Sequence, residues 1–352
     1  MADIRADRIN WYRTPIDKET LKRLTRRSDA RAFAQVVPQL ALTVATGAFA
    51  YWAWDHLPLV VALAAFYLHG TVYAFVGVMG PGHELCHGTP FKTRLWNEFF
   101  LWIFSFLSWT NYVHFRASHT QHHLLTVHSG RDLEVVQPLI PRRRDYLFAF
   151  TCNPMAAKST FLTTVRHAVN RLEGEWERRI FPDSEPARRR AMVRWARVLL
   201  VGHTALAAAF LATGKWRLLF LVTLAPFYGG WLSHLCWMTQ HAGLIGNVPD
   251  FRLICRTALV DPITRFLYWN MTYHVEHHMY AGVPFYNLPA LRKAIEPDLP
   301  VADKGLFRCC RQIVRILRKQ KEDPAYAFEP PLPATAHAPV RAWPPLPAAT
   351  SS

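Results

Sequence analysis

Of the 17 histidines in this 352-residue chain, eight fall in three five-residue boxes: His83-Glu-Leu-Cys-His87, His119-Thr-Gln-His122-His123 and His274-Val-Glu-His277-His278. Residues three or four apart on a helix share a face. Spacings of i, i+4 and of i, i+3, i+4 therefore aim two or three imidazoles at one point. Eight convergent imidazoles exceed what one metal ion uses and suit a pair of ions. Imidazole is accepted by Zn, Cu, Fe and Ni alike, whereas a zinc site needs only three or four protein ligands. A set this large favours two redox irons with positions left open for oxygen. Neutral imidazoles bring no negative charge, so carboxylates are expected behind them, holding the free ring N–H groups. Glu84, Asp132 and Glu276 are the candidates. His241, three residues beyond an apolar run, is a further possible ligand, and His234 lies two turns before it on the same helical face. His114 and His128 read as structural, and His167 as a surface residue.

The boxes need elements that gather them. Four apolar runs, Ala34 to Trp54, Leu57 to Met79, Trp195 to Thr213 and Trp216 to Met238, each contain about the 20 helical residues that a bilayer core requires. No acidic residue occurs in any of them. Asp55-His56 and Gly214-Lys215 separate the members of each pair, which predicts two helical hairpins. The expected fold class is thus an all-α integral membrane protein with four transmembrane helices, capped by cytosolic helices that hold the metal site. Two weaker apolar stretches, Phe99 to Val113 and Asp145 to Ala157, read as interfacial or re-entrant helices.

Charge tests that arrangement. Lys and Arg number 41 against 25 Asp and Glu, a net +16, yet 51% of the residues are hydrophobic and the mean hydropathy is +0.01. Segments 1–33, 80–194 and 239–352 hold 9, 16 and 13 of the 41 basic residues. Basic residues accumulate on the cytoplasmic side, so both termini and the long middle segment are expected there, with all three boxes on one membrane face. The charge then reports orientation and attraction to anionic lipid, and no nucleic-acid partner is expected. Six cysteines without CxxC spacing suit a reduced compartment. The excess of Arg over Lys, 32 to 9, suits a bacterial inner membrane. The expected organisation is a cytosolic segment 1–33, a membrane and cap domain 34–300, a basic amphipathic segment 301–322 and a disordered Pro/Ala-rich tail 323–352.

From about Val60 to Pro297 the sequence resembles the membrane fatty acid desaturase and hydroxylase superfamily. The resemblance rests on the ordered boxes and their flanks: Gly82-His83 to His87-Gly-Thr, Phe115-Arg-Ala-Ser-His119, the acidic segment Gly130-Arg-Asp132-Leu-Glu134, and Asn270 followed by His274 to His278 and Val283-Pro-Phe. It implies two irons, molecular oxygen and two electrons from an external donor such as ferredoxin or cytochrome b5. It carries over His83, His87, His119, His122, His123, His274, His277 and His278 as ligands, with His241 as the isolated one. Asn270 and His234 join the carboxylates as supporting candidates. The first box has three residues between its histidines and Trp237 stands four before His241, a departure from acyl-CoA desaturases that favours an acyl-lipid substrate. The implied reaction is desaturation of an aliphatic chain. A hydroxylase or ketolase acting on a carotenoid, sterol or sphingolipid, or a membrane zinc hydrolase, are the alternatives.

Overall fold

The computed structural model describes residues 9–137 and 142–341, and these form a mostly helical protein. Helices α1 (Lys18–Leu24) and α2 (Asp29–His56) start at Asp17 and Ser28, whose side chains accept from the backbone N–H of Thr20 and Arg31. Pro58 turns the chain into α3 (Leu59–Tyr73). Ala50 and Ala53 meet Ala62 and Ala65 along this hairpin, so small side chains bring the two backbones close.

The apolar run to Met79 is helical only as far as Tyr73. Phe75 and Val76 donate to carbonyls three residues back, which tightens the chain into turns. It then enters α4 (Pro81–Cys86), with proline at its first position. The Phe99 to Val113 stretch is divided between α5 (Arg94–Leu107) and α6 (Tyr112–Leu125) by a turn at Trp109, whose φ is +57°, and Asn111 caps α6. Asp145 to Ala157 is likewise split, between α7 (Arg143–Phe150) and α8 (Pro154–Ala168), and α9 (Gly174–Ile180) follows.

Helix α10 (Pro186–Ala212) contains the third run. The fourth run is not one helix. It comprises a π turn at Leu219–Thr223, a 3-10 turn at Ala225–Phe227, extended Tyr228, and then α11 (Trp231–His241). Pro226 removes a backbone donor, and Gly229 sits at φ +67° against α3, where an added Cβ would lie 2.7 Å from the Tyr67 carbonyl. Among the described residues, two helices, α2 and α10, are therefore long and apolar enough to cross a membrane. In both, most of the apolar window faces outward, with 22% and 17% of it buried. The core helix of a soluble protein has the reverse distribution.

Beyond α11 the cap is built from short elements: α12 (Phe251–Ile254), β1 (Ala258–Leu259), α13 (Pro262–Leu267), α14 (His274–Met279), α15 (Leu288–Ile295), β2 (Asp303–Lys304) and α16 (Leu306–Glu322). The strands pair in parallel, Ala258 with Asp303 and Leu259 with Lys304. The main core packs the cap onto α2 and α5 through Val36, Phe91, Phe104, Phe251, Trp269 and Phe285.

Buried Arg252 ties the chain ends to this cap. It contacts Asp250 and Asp298 at 2.7 Å each, while Asp298 also accepts from Tyr12 and from the His337 backbone N–H. Phe328 forms a bridge with Leu244, and Leu332 packs on the core. Within the Pro/Ala-rich segment expected as a disordered tail, the described residues meet the cap at this cluster: the His337 and Ala338 carbonyls accept from Arg252, and the His337 and Val340 N–H groups donate to Asp298 and Asp250. Residues 342–352 lie outside the described residues. Gly229→Ala should destabilise the protein by about 1–3 kcal/mol, since it adds left-handed strain to a backbone clash. A lowered midpoint in a detergent thermal-shift assay would show this, and an unchanged midpoint would refute the close approach to α3.

Candidate metal centre

Four segments carry the histidines. His83 lies in α4 and His87 at its C-terminal cap; His119, His122 and His123 lie on α6; His241 ends α11; and His274, His277 and His278 lie on α14. Helices α4 and α14 have only six residues each, all buried. Gly88, at φ +66°, ends the turn that holds His87. Before α14, Trp269 and Asn270 both have positive φ, which turns the chain so that the third box re-enters the core.

The rings form two groups. In the first, the Nε2 atoms make a closed circuit: His83 to His277 3.0 Å, His277 to His123 3.1 Å, His123 to His119 3.0 Å and His119 to His83 2.9 Å. His87 completes this group, and its Nε2 is buried without a hydrogen-bond partner. In the second, His274 Nε2 lies 3.0 Å from His241 and 3.1 Å from His278, and His122 joins them. The groups adjoin, with the His123 and His278 rings stacked at 4.2 Å.

Hydrogen bonding cannot explain the circuit. An imidazole nitrogen offers one in-plane position, either N–H or lone pair, so four nitrogens in a ring form at most two good hydrogen bonds. The opposite ring edges indicate a bare Nε2 in three of the nine rings, one of them in the circuit. His119 Nδ1 is 2.8 Å from Glu134, His122 Nδ1 2.8 Å from Asp132, and His241 Nδ1 2.8 Å from the Ile254 carbonyl. Each such Nδ1 donates, which leaves its Nε2 bare. Lone pairs 3 Å apart repel unless a cation sits among them.

The spacing also constrains that cation. Nitrogens with edges near 3.0 Å can each lie about 2.1 Å, a metal–imidazole bond length, from one shared ion. A tetrahedral ion with the same bond length would hold its ligands about 3.4 Å apart. The four observed edges, 2.9–3.1 Å, are shorter than that.

Burial and neighbouring imidazoles hold most of these histidines neutral. His87, His241 and His277 are pushed down to about 3, and His83, His119, His123, His274 and His278 lie well below the ordinary histidine value. For His122, burial opposes charge but the Asp132 carboxylate outweighs it and raises the value. Burial likewise opposes ionisation of Asp132, and its bonds to His122 and to the Val127 and Glu134 N–H groups outweigh that, leaving it below the usual carboxylate range. Burial raises Glu84 to about 7 and also raises Glu134.

The supporting candidates divide. Asp132 holds His122, and Glu84 lies 3.3 Å from His277 Nδ1 while accepting from the Phe285 N–H. Glu276 is turned away from the rings because Arg292, at 2.8 Å, and Thr257, at 2.6 Å, take its carboxylate. Asn270 donates to the Phe285 carbonyl and so shapes the loop rather than a ring. His234 packs beside Tyr146 and Trp237. Sequence reasoning missed Glu134 as a ring partner, although it lies in the acidic segment already singled out. It also missed Ser118, which donates to Glu134 and is held by Trp176, and Thr126, 3.2 Å from His278 Nδ1. His167, expected at the surface, is buried and bonded to Glu177 at 3.0 Å beside His114.

With this geometry in view, the fatty acid desaturase family model matches residues 57–308, and the chain belongs to that family. It is therefore an oxidoreductase, and the family together with the outward-facing apolar helices indicates membrane association. No curated protein matches the chain. Asp132→Asn and Glu134→Gln should each weaken metal retention by about 10–100-fold, measured as residual metal after dialysis against graded chelator. Glu276→Gln should instead lower thermal stability and leave retention unchanged, and equal metal loss in all three variants would contradict the division drawn above.

Proposed function

We propose that this protein desaturates the aliphatic chain of a fatty acyl lipid in an oxygen-dependent reaction. The observation that carries the reading is the pair of Nε2 groups with edges near 3 Å. His83, His87, His119, His123 and His277 would hold one iron, and His122, His241, His274 and His278 the other. Irons bound there would supply the oxidising power to remove hydrogen from unactivated C–H bonds, given molecular oxygen and two electrons from an external carrier. The overall balance is one oxygen molecule, two electrons and two protons in, two hydrogens from the lipid chain, and two waters out.

The chain's own residues do the rest. Asp132, Glu134 and the Ile254 carbonyl fix ring orientation. Phe115 stacks on His119 at 5.1 Å, and Phe251 lies 5.6 Å from His278 with Trp11 stacked over it at 4.2 Å. These aromatic walls exclude water from the site and favour an apolar substrate. In this reading four segments embed in the bilayer, α2, α3, α10 and the broken segment leading into α11, with both termini on the cytoplasmic side of a bacterial inner membrane. The distribution of basic residues supports that orientation. A zinc hydrolase fits less well, because nine imidazoles at these separations exceed and distort a tetrahedral set.

Protein purified from an iron-replete host should contain about two irons per chain. Lipid profiles should show new unsaturated acyl chains with wild type and none with His278→Ala expressed to the same level. Stoichiometric zinc, or lipid cleavage in place of oxidation, would overturn the reading. Hydroxylated lipids would assign the same centre to the hydroxylase branch.

A further inference from the structure

Helix α16 has two dissimilar sides. Leu306, Cys309, Cys310, Ile313, Ile316, Leu317 and Gln320 are buried. The opposite side exposes Arg308, Arg311, Arg315, Arg318, Lys319 and Lys321, continued by Lys304. At spacings of three and four residues these cations form one stripe, with Asp303 at its start, facing Arg256 at 3.9 Å, and Glu322 and Asp323 at its end. Among the described residues none of the seven takes part in an ion pair, and Lys319 lies over the Tyr326 ring.

The buried side rests on the element that ends in His241. Ile313 and Leu317 pack with Met238 and Ala242, and Gln320 donates to the Gly243 carbonyl. Ile316 approaches Gly243 so closely that an added Cβ would lie 2.6 Å from its Cγ2. Arg256 fixes the same end of α11 by donating to the Thr239 and Ala242 carbonyls. The cationic stripe therefore lies on the outer side of the helix that packs directly on the element ending in His241.

We propose that this face of α16 docks an acidic one-electron carrier protein. The proposal rests on the oxygen-dependent reading above, which requires two external electrons, and assigns their point of entry. A membrane surface is the less fitting partner. An interfacial helix needs a free apolar face to insert, and that of α16 is spent on α11, with Phe307 its one exposed large apolar side chain. By contrast, α7 and α8 expose Leu147, Phe150, Met155, Phe161 and Leu162, which suits contact with lipid. The arginines of α10 lie where its apolar run begins, at headgroup level. A stripe in which seven cations outnumber the acids at its ends steers and orients an oppositely charged protein.

The test uses full-length protein in neutral-lipid nanodiscs, with an acidic [2Fe–2S] ferredoxin as probe and phosphatidylglycerol vesicles as the lipid arm. Wild type should bind the ferredoxin more tightly as salt is lowered. Combined Arg311→Glu, Arg315→Glu and Arg318→Glu should weaken binding by about tenfold or more, and the corresponding glutamine triple by less. Arg190→Glu with Arg194→Glu should leave ferredoxin affinity within about twofold. Undiminished ferredoxin binding by the glutamate triple, or loss of vesicle binding in its place, would overturn the proposal. If the glutamate triple does not fold, the glutamine triple decides on the same criterion. Single turnover of protein reduced chemically under argon, then given oxygen and lipid, separates the two claims. Product from both wild type and triple keeps the oxidase reading whatever the docking result, and product from neither removes that reading while the affinities still judge the docking.

Discussion

Nine imidazole nitrogens aimed into one buried volume, with Nε2 to Nε2 approaches near 3 Å, form an arrangement that the polypeptide alone does not favour. Without a cation, each close approach pairs like partial charges in a medium with little water to screen them. The fold must supply that convergence from residues as far apart as His83 and His277, which touch across 194 positions. It does so with two six-residue helices, the end of α11 and the C-terminal half of α6. Short helices suit the task, because one and a half turns place positions i, i+3 and i+4 on a face while leaving both chain ends free to bend. The positive-φ residues at Gly88, Trp269 and Asn270 mark those bends. Conformational cost accepted there is offset by the packing of Trp269 and Phe285 into the main core.

The membrane-facing half answers to the same requirement. Straight, uninterrupted helices from the second and fourth apolar runs would deliver the first box and His241 in line with their axes. Stopping the helix at Tyr73, and replacing residues 219 to 230 with a π turn, a 3-10 turn and a glycine pair, lets α4 and α11 set out in new directions. Backbone groups freed by such breaks must be satisfied inside protein. Here the Thr71 hydroxyl donates to the Gly229 carbonyl, Gly229 donates to the Thr151 carbonyl, and Asn153 donates to the Phe227 carbonyl. The break is thus part of the packing between α3, α8 and α11.

Much of the site was legible because its signal is local. Helical spacing within a box is a sequence property, and the structure gathers the Nε2 atoms of all three boxes together with that of His241. Apolar run length was a weaker guide, since it cannot reveal that Gly229 approaches the Tyr67 carbonyl or that Val72 and Tyr73 carbonyls accept three residues on. Nor can it show which carboxylate faces a ring. Glu276 lies inside the third box but at the one position whose helical direction points to Arg292. Glu134 lies outside any box, yet a chain reversal after α6 brings it to His119. Local spacing orients a side chain about its own helix, and only tertiary contacts decide what that direction meets. The Pro/Ala-rich segment illustrates the same limit: composition describes its lack of regular structure but not the Arg252 cluster that receives it.

Charge balance joins these observations. Nine neutral imidazoles would leave two divalent cations with their full charge inside a buried volume, where uncompensated charge is costly. Four carboxylates lie near the boxes. Glu276 is already matched by Arg292 at 2.8 Å and contributes no net charge. Glu84, Asp132 and Glu134 have histidine partners in place of a guanidinium, so their negative charge is available to the cations through the rings. Burial alone lifts Glu84 to about 7 and raises Glu134, and a cation within the ring groups opposes that shift by favouring the ionised form. Asp132 and Glu134, which orient rings, and Glu84, 3.3 Å from His277 Nδ1, would therefore supply most of the counter-charge. An imidazole-only ligand set would then be matched in charge by acids behind the rings, and removing one of those acids would be felt by a bound metal through the ring it faces.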